Sequence, residues 1–122
     1  MALDTLLNEV KGVNGYMASA IMDFTGEMLA THSSSAAVDL QVAGATFNDI
    51  FRGAHAAAGK VGFKAATDLV INTPEGTIVM MCTGMEQKAH LHLITILSKD
   101  GNQALAKMAM HKIAPQAVQS VA

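Results

Sequence analysis

Five histidines, a single cysteine and a run of serines carry most of the reactive side chains of this 122-residue chain, and their spacing decides which chemistry is open to each. His90 and His92 stand two apart, so on a strand they project from one face, as two ligands of a metal site would. Zinc ordinarily takes three or four protein ligands, and no third donor stands at a recognisable spacing from this pair. No metal is assigned, and the pair reads as two histidines at a strand end near an interface. His32, His55 and His111 are scattered, and read as surface or partly buried residues rather than as bases. Cys82 has Met80, Met81, Thr83 and Gly84 around it, none of them a cation that would lower its pKa and make it a nucleophile. It alternates with Ile78 and Met80, which places it in a core. Ser33, Ser34 and Ser35 precede a long helical pattern and read as a loop and an N-cap. The stretch GAHAAAGKVG, residues 53–62, has five residues between its first two glycines and Val61 after Lys60. A phosphate-binding loop needs four, then Ser or Thr after the lysine. No nucleophile, base and orienting group can be placed together, so the chain reads as a non-enzyme without a cofactor.

Composition narrows the partners. Net charge is −2 and the eight Lys and Arg are dispersed, leaving no basic stripe to neutralise the phosphates of a nucleic acid. One cysteine excludes an internal disulfide and suits a reducing compartment. The opening MALDTLLNEVKG holds Asp4 and Glu9 within its apolar stretch, unlike a signal peptide, and no run approaches the ~18 apolar residues of a membrane span. A cytoplasmic protein with neither membrane nor nucleic acid as a partner is expected. Charged residues make up 15% of the chain against 51% apolar, below the ~25% charged of an average soluble domain. Part of the apolar surface is therefore expected to meet another chain. The length fits one domain over residues 1–122.

The elements that must position these residues follow from hydrophobic period. Leu3, Leu6, Leu7 and Val10 predict a short amphipathic helix over 2–11, stopped by Gly12. Residues 15–24 alternate with both faces largely apolar, as in a strand covered on both sides. Thr25-Gly26 supplies a tight hairpin into a second strand over 27–32. A long helix over 38–61 carries the stripe Leu40, Ala43, Phe47, Ile50, Phe51, Ala54, Ala58 and Val61. Its polar sector is Gln41, Asn48, Asp49, Arg52 and Lys60. Gly44, Gly53 and Gly59 each cost that helix about 1 kcal/mol relative to alanine, which suggests that another backbone comes close. Three more alternating runs, 66–73, 77–83 and 89–97, follow, the first two joined by a turn at Thr73-Pro74-Glu75-Gly76. A final helix from residue 102 is expected to end near 113, before Pro115. Strands in hairpin order with segregated helices predict an α+β domain with one five-stranded antiparallel sheet, in the order αββαβββα. The strand that begins at Gly15 is expected at the centre of that sheet.

Three stretches of this pattern resemble the Roadblock/dynein light chain family. VNGYMASAIMDFTGEMLAT is similar to that family's opening hairpin, NTPEGTIVMM to its later hairpin, and NQALAK to its asparagine-led final helix. Asn14 stands where the family often has proline, and Lys107 where it often has arginine. The resemblance implies profilin-like layers, with the long helix on one face of the sheet and the terminal helices on the other. It also implies a homodimer formed through the long helix and the strand after it, here Phe47, Ile50, Phe51, Ala54, Ala58, Leu69 and Ile71. Such dimers act as adaptors or regulators of small Ras-like GTPases and motor complexes. Asp49 and Arg52, three apart, suit a surface pair worth ~0.3 kcal/mol; with Asn48 they also suit a polar face offered to a protein partner. The alternative is a small-molecule sensor module with a Met-rich cavity under the sheet, drawing on the nine methionines.

Overall fold

The computed structural model describes residues 3–84 and 88–121, so residue 2 of the expected first helix lies outside the described residues. Among the described residues, α1 (Leu3–Leu6) and α2 (Asn8–Lys11) take the place of that single helix, and β1 (Tyr16–Asp23) and β2 (Met28–Ser33) follow. Then come α3 (Leu40–Lys60), β3 (Asp68–Asn72), β4 (Gly76–Cys82), β5 (Leu91–Ser98) and α4 (Gln103–Val121). The strands form one antiparallel sheet in the order β2-β1-β5-β4-β3. β5 holds the middle place and β1 lies beside it, one strand off the expected centre, with both faces covered.

Alternation along the strands divides the core into two layers. Ala18, Ala20, Met22, Ile78, Met80, Ile94 and Ile96 face α3 and meet Leu40 and Phe51. Ile21, Val79, Met81, Leu93 and Leu97 face the other way, onto Leu6 and Leu7 and onto Met110, Ile113 and Ala117 of α4. The long helix thus covers one face and the terminal helices the other, as the family resemblance implies.

Local chemistry sets the element boundaries. In the β1–β2 turn, Asp23 Oδ1 accepts from the Thr25 and Glu27 N–H groups and from the Thr25 hydroxyl, at 2.9, 3.0 and 2.6 Å, while Gly26 supplies φ of 99°. At the start of β1, Gly15 has φ of 86° and lies so near Gly101 that a Cβ on Gly15 would strike the Gly101 backbone, while one on Gly101 would strike the Leu97 side chain; small residues let the β1–β5 ladder close there. Thr73 Oγ1 donates to the Gly76 carbonyl at 2.8 Å and accepts its N–H at 3.0 Å, closing the turn before β4.

Two expectations are corrected. The N-cap of α3 is Asp39, whose Oδ1 accepts the Val42 N–H at 3.2 Å; Ser33 and Ser35 instead hydrogen-bond within their own turn. α4 runs through Pro115 to Val121 rather than ending before the proline. Proline removes one helical N–H, a local cost. Ala117 and Val118 beyond the proline are buried, and their packing outweighs it.

Candidate functional site

Two regions of α3 meet their surroundings differently. α3 lies mainly over β1 and β2, so the part of the sheet nearest β3 is left only partly roofed. Leu69 and Ile71 of β3 pair with Met80 and Ile78 on the α3 side of the sheet, and both remain half-buried. Beside them run Phe47, Ala54 and Ala58, also half-buried, and Ile50, which keeps 45% of its surface in solvent. Val61 and Phe63 prolong the exposed apolar surface past the end of the helix. Gly53 and Gly59 have open space where a Cβ would stand, whereas Gly44 accommodates the Met28 side chain. Only Gly44 thus has a packing reason within this chain.

The other side of α3 builds a pocket. Asn48, one turn before Phe51 and two before His55, is 1% exposed. Its Nδ2 donates to the Phe24 carbonyl at 3.0 Å, which leaves Oδ1 facing His92 Nδ1 at 2.6 Å. Because a carboxamide oxygen only accepts, His92 Nδ1 carries the proton and His92 Nε2 presents its lone pair. That atom lies 3.2 Å from His90 Nε2, which in turn is 3.0 Å from Cys82 Sγ. Cys82 and His92 are direct partners across the β4–β5 ladder. Sγ also accepts the Gly84 N–H at 3.3 Å. His55 closes the group from α3; its Nδ1 accepts the Ala66 N–H at 3.1 Å and its Nε2 is buried without a partner among the described residues.

Aromatic rings hold these imidazoles in place. Phe51 stacks on His55 and tilts against His92, both at 4.8 Å between centroids, and Phe24 stacks on His90 at 5.3 Å. Burial pushes His55 below its ordinary pKa. Burial, then the neighbouring His55, does the same to His90. His92 is pushed down to about 3 by burial first and then by His90, His55 and Arg52, with Asp23 opposing. The three rings are therefore neutral at pH 7, and His92 turns its Nε2 lone pair into the group. Burial pushes the Cys82 thiol up, against the Gly84 N–H. A cleft of about 330 Å³, lined by Phe24, Arg52, His55 and His90, opens onto the group.

No protein-family model and no curated protein matches this sequence. Solved structures match it over nearly its whole length. A Roadblock/LC7 domain from Streptomyces avermitilis superposes with a TM-score of 0.84 at 12% identity, covering 99% of this chain and 98% of that one. This chain has the Roadblock/LC7 fold. MglB in a tetrameric arrangement matches with a TM-score of 0.77 at 15% identity, over 97% of this chain and 83% of that one. Profilin IB of Acanthamoeba castellanii matches with a TM-score of 0.54 at 15% identity, over 88% and 89%, in keeping with profilin-like layers.

Within this Roadblock/LC7 fold the residues singled out from sequence separate. Phe47, Ala54, Leu69 and Ile71 pack half-buried against the α3-facing core, and on the same helix Ala58 is half-buried and Ile50 exposed, an apolar strip along α3 and β3. Phe51 does not join them: it is 0% exposed and leaves no surface for a second chain. Asn48, expected on a polar face, is likewise buried, its amide used up by Phe24 and His92. Asp49 and Arg52 are exposed but form no ion pair among the described residues. Arg52 stands at the mouth of the histidine cleft. The donors missing from the His90/His92 pair are Cys82 and His55, brought in by a strand register and a helix face. The shared parity of Cys82 and His92 across one hairpin was the available signal. For the sensor alternative, the cleft of about 390 Å³ between β4 and α4 has one methionine, Met81, among the described residues of its lining.

Proposed function

We propose that this chain is a single Roadblock-like domain, residues 1–122, that works as a non-enzymatic homodimeric adaptor or regulator and binds a protein partner, a small Ras-like GTPase or its complex. The observation that carries the reading is the apolar strip along α3 and β3, half-covered by its own chain, in a fold that a tetrameric MglB structure shares. A second copy laying its own α3 along this strip would bury Ile50 and the remaining faces of Leu69 and Ile71. Gly53, with open space around it, would let the two helix backbones approach closely. Asp49 would then lie at the rim, where polar groups face a partner.

The site of action proposed is the cytoplasm, and no helix among the described residues is long and apolar enough to cross a membrane. The functional test is binding to the Ras-like GTPases of the same organism, loaded in turn with GDP and with a non-hydrolysable GTP analogue. A complex that co-elutes at micromolar concentration and favours one nucleotide state supports the reading. Absence of a complex with each of them in both states contradicts it. GTP turnover by the isolated chain would contradict the non-enzymatic part.

A further inference from the structure

We propose that Cys82, His90 and His92 bind a divalent transition-metal ion of the zinc class, with His55 as the adjoining fourth donor. This goes beyond the adaptor reading and does not depend on it. The ligating atoms of the four residues all lie within 4.8 Å of one another. A tetrahedral ion with bonds of about 2.0–2.1 Å to nitrogen and 2.3 Å to sulfur sets its donors about 3.3–3.6 Å apart. The observed separations of 3.2 Å from His90 Nε2 to His92 Nε2 and 3.0 Å from His90 Nε2 to Cys82 Sγ need only a slight opening of the group.

The outer contacts favour an ion over a mere hydrogen-bonded cluster. Metal-bound histidines usually donate their second N–H to a fixed acceptor, and Asn48 Oδ1 is such an acceptor for His92, itself held by the Phe24 carbonyl. His92 Nε2 is thereby committed as a lone pair aimed into the group. Gly84 N–H points at Cys82 Sγ, a bond that favours a thiolate. His55 Nε2 is a buried polar atom with no hydrogen-bond partner among the described residues, and such atoms call for one. His55 is the weakest ligand, because its Nδ1 accepts from Ala66; Nε2 then bears the proton, and ligation requires that bond to be exchanged. The cleft past Phe24 and Arg52 supplies a route for the ion. Arg52, at the mouth of that cleft, opposes the incoming cation. On binding, the Cys82 S–H gives its proton to solvent and the sulfur lone pair makes the metal bond, so the ion enters and one proton leaves without change of oxidation state. Imidazole and thiolate donors together suit Zn²⁺ and related ions rather than Mg²⁺ or Ca²⁺.

The test uses the full chain purified without an affinity tag, stripped by chelator and kept reduced, then titrated with Co²⁺ and with Zn²⁺ against a chromophoric chelator. The expected result is one ion per chain. Co²⁺ should give a thiolate-to-cobalt charge-transfer band in the near ultraviolet that Zn²⁺ abolishes. Cys82→Ser should remove that band and lower Zn²⁺ affinity at least 100-fold. His90→Gln should lower it comparably, and His55→Gln about 10-fold. His90 and Cys82 are only partly buried, and circular dichroism of both variants checks that the fold persists. Should either variant unfold, the cobalt spectrum of the parent chain still decides. No stoichiometric binding, a cobalt complex lacking the thiolate band, or parent-like affinity in a folded Cys82→Ser chain would overturn the proposal.

Discussion

The two sides of α3 use neighbouring residues for opposite ends. On one, Asn48, Phe51 and His55 follow each other at single-turn spacing, and every polar atom but His55 Nε2 is engaged within the chain. On the other, Phe47, Ile50, Ala54 and Ala58 keep the same helical spacing and are left half-covered or exposed. A helix only one domain deep would be polar on that second side. The contrast teaches that the apolar stripe of α3 is wider than its own sheet can cover, because α3 sits over β1 and β2 and leaves the β3 side open.

The contrast can be broken most severely from the inside. Phe51→Ala empties a fully buried aromatic site and should cost about 3–5 kcal/mol, a large part of the ~5–15 kcal/mol that holds a small domain folded. A urea melt followed by circular dichroism reads this directly. Ile50→Glu, on the open side, should leave the fold intact yet weaken self-association by about 2 kcal/mol or more, as for an interface anchor. Phe47→Glu should harm both, since Phe47 also packs into the α3-facing core. Sedimentation velocity together with the same melts separates the two effects. Asn48→Ala leaves the buried His92 Nδ1–H and the Phe24 carbonyl without partners and should cost about 1–3 kcal/mol, with no change in self-association.

Gly53 sharpens the comparison by sign. An added Cβ meets nothing within 4 Å in the chain, so Gly53→Ala should stabilise the isolated monomer by up to ~1 kcal/mol while weakening the dimer. A variant improved in both respects would argue that no second backbone comes near this point.

The smallest expected effect lies in the β1–β2 turn, whose backbone also supplies the Phe24 carbonyl to Asn48. Burial raises the Asp23 pKa, but the hydrogen bonds from Thr25, Glu27 and Gly26 together outweigh it and hold the carboxyl below its ordinary range. The unfolded chain therefore binds more protons there near and below pH 4, and stability falls as pH drops through that window. Asp23→Asn, which keeps an accepting oxygen for the turn, should flatten the fall in melting temperature between pH 5 and 3, by no more than a few tenths of a kcal/mol for so exposed a group. An unchanged slope would mean that the turn contributes nothing to acid sensitivity.

How much of this was legible beforehand follows from where the information lies. Alternation over residues 15–24 and 77–83 and the 3.6 period of α3 are local patterns, and the five strands and the long helix between them came from these, while the placing of the helices on the two faces came from the family resemblance. Two local rules misled: Pro115 does not end α4, because tertiary packing buries Ala117 and Val118 beyond it, and the serines do not cap α3, because Asp39 stands nearer its first turn. Phe51 and Asn48 were misplaced because a helical stripe defines a face but not which edge of it the sheet will cover. The His/Cys pocket was the least legible. His90 and His92 stand two apart in sequence, but Cys82 joins them only through strand register and His55 only through the docking of α3.

The central claim is that the open side of α3 is closed by a second copy of the chain. Sedimentation equilibrium of the chain at low micromolar concentration, beside Ile50→Glu at the same loading, tests it most directly. The account predicts twice the monomer mass for the parent chain and the monomer mass for the folded variant. A parent chain that sediments as a monomer throughout, or a folded Ile50→Glu chain that stays a dimer, would contradict it.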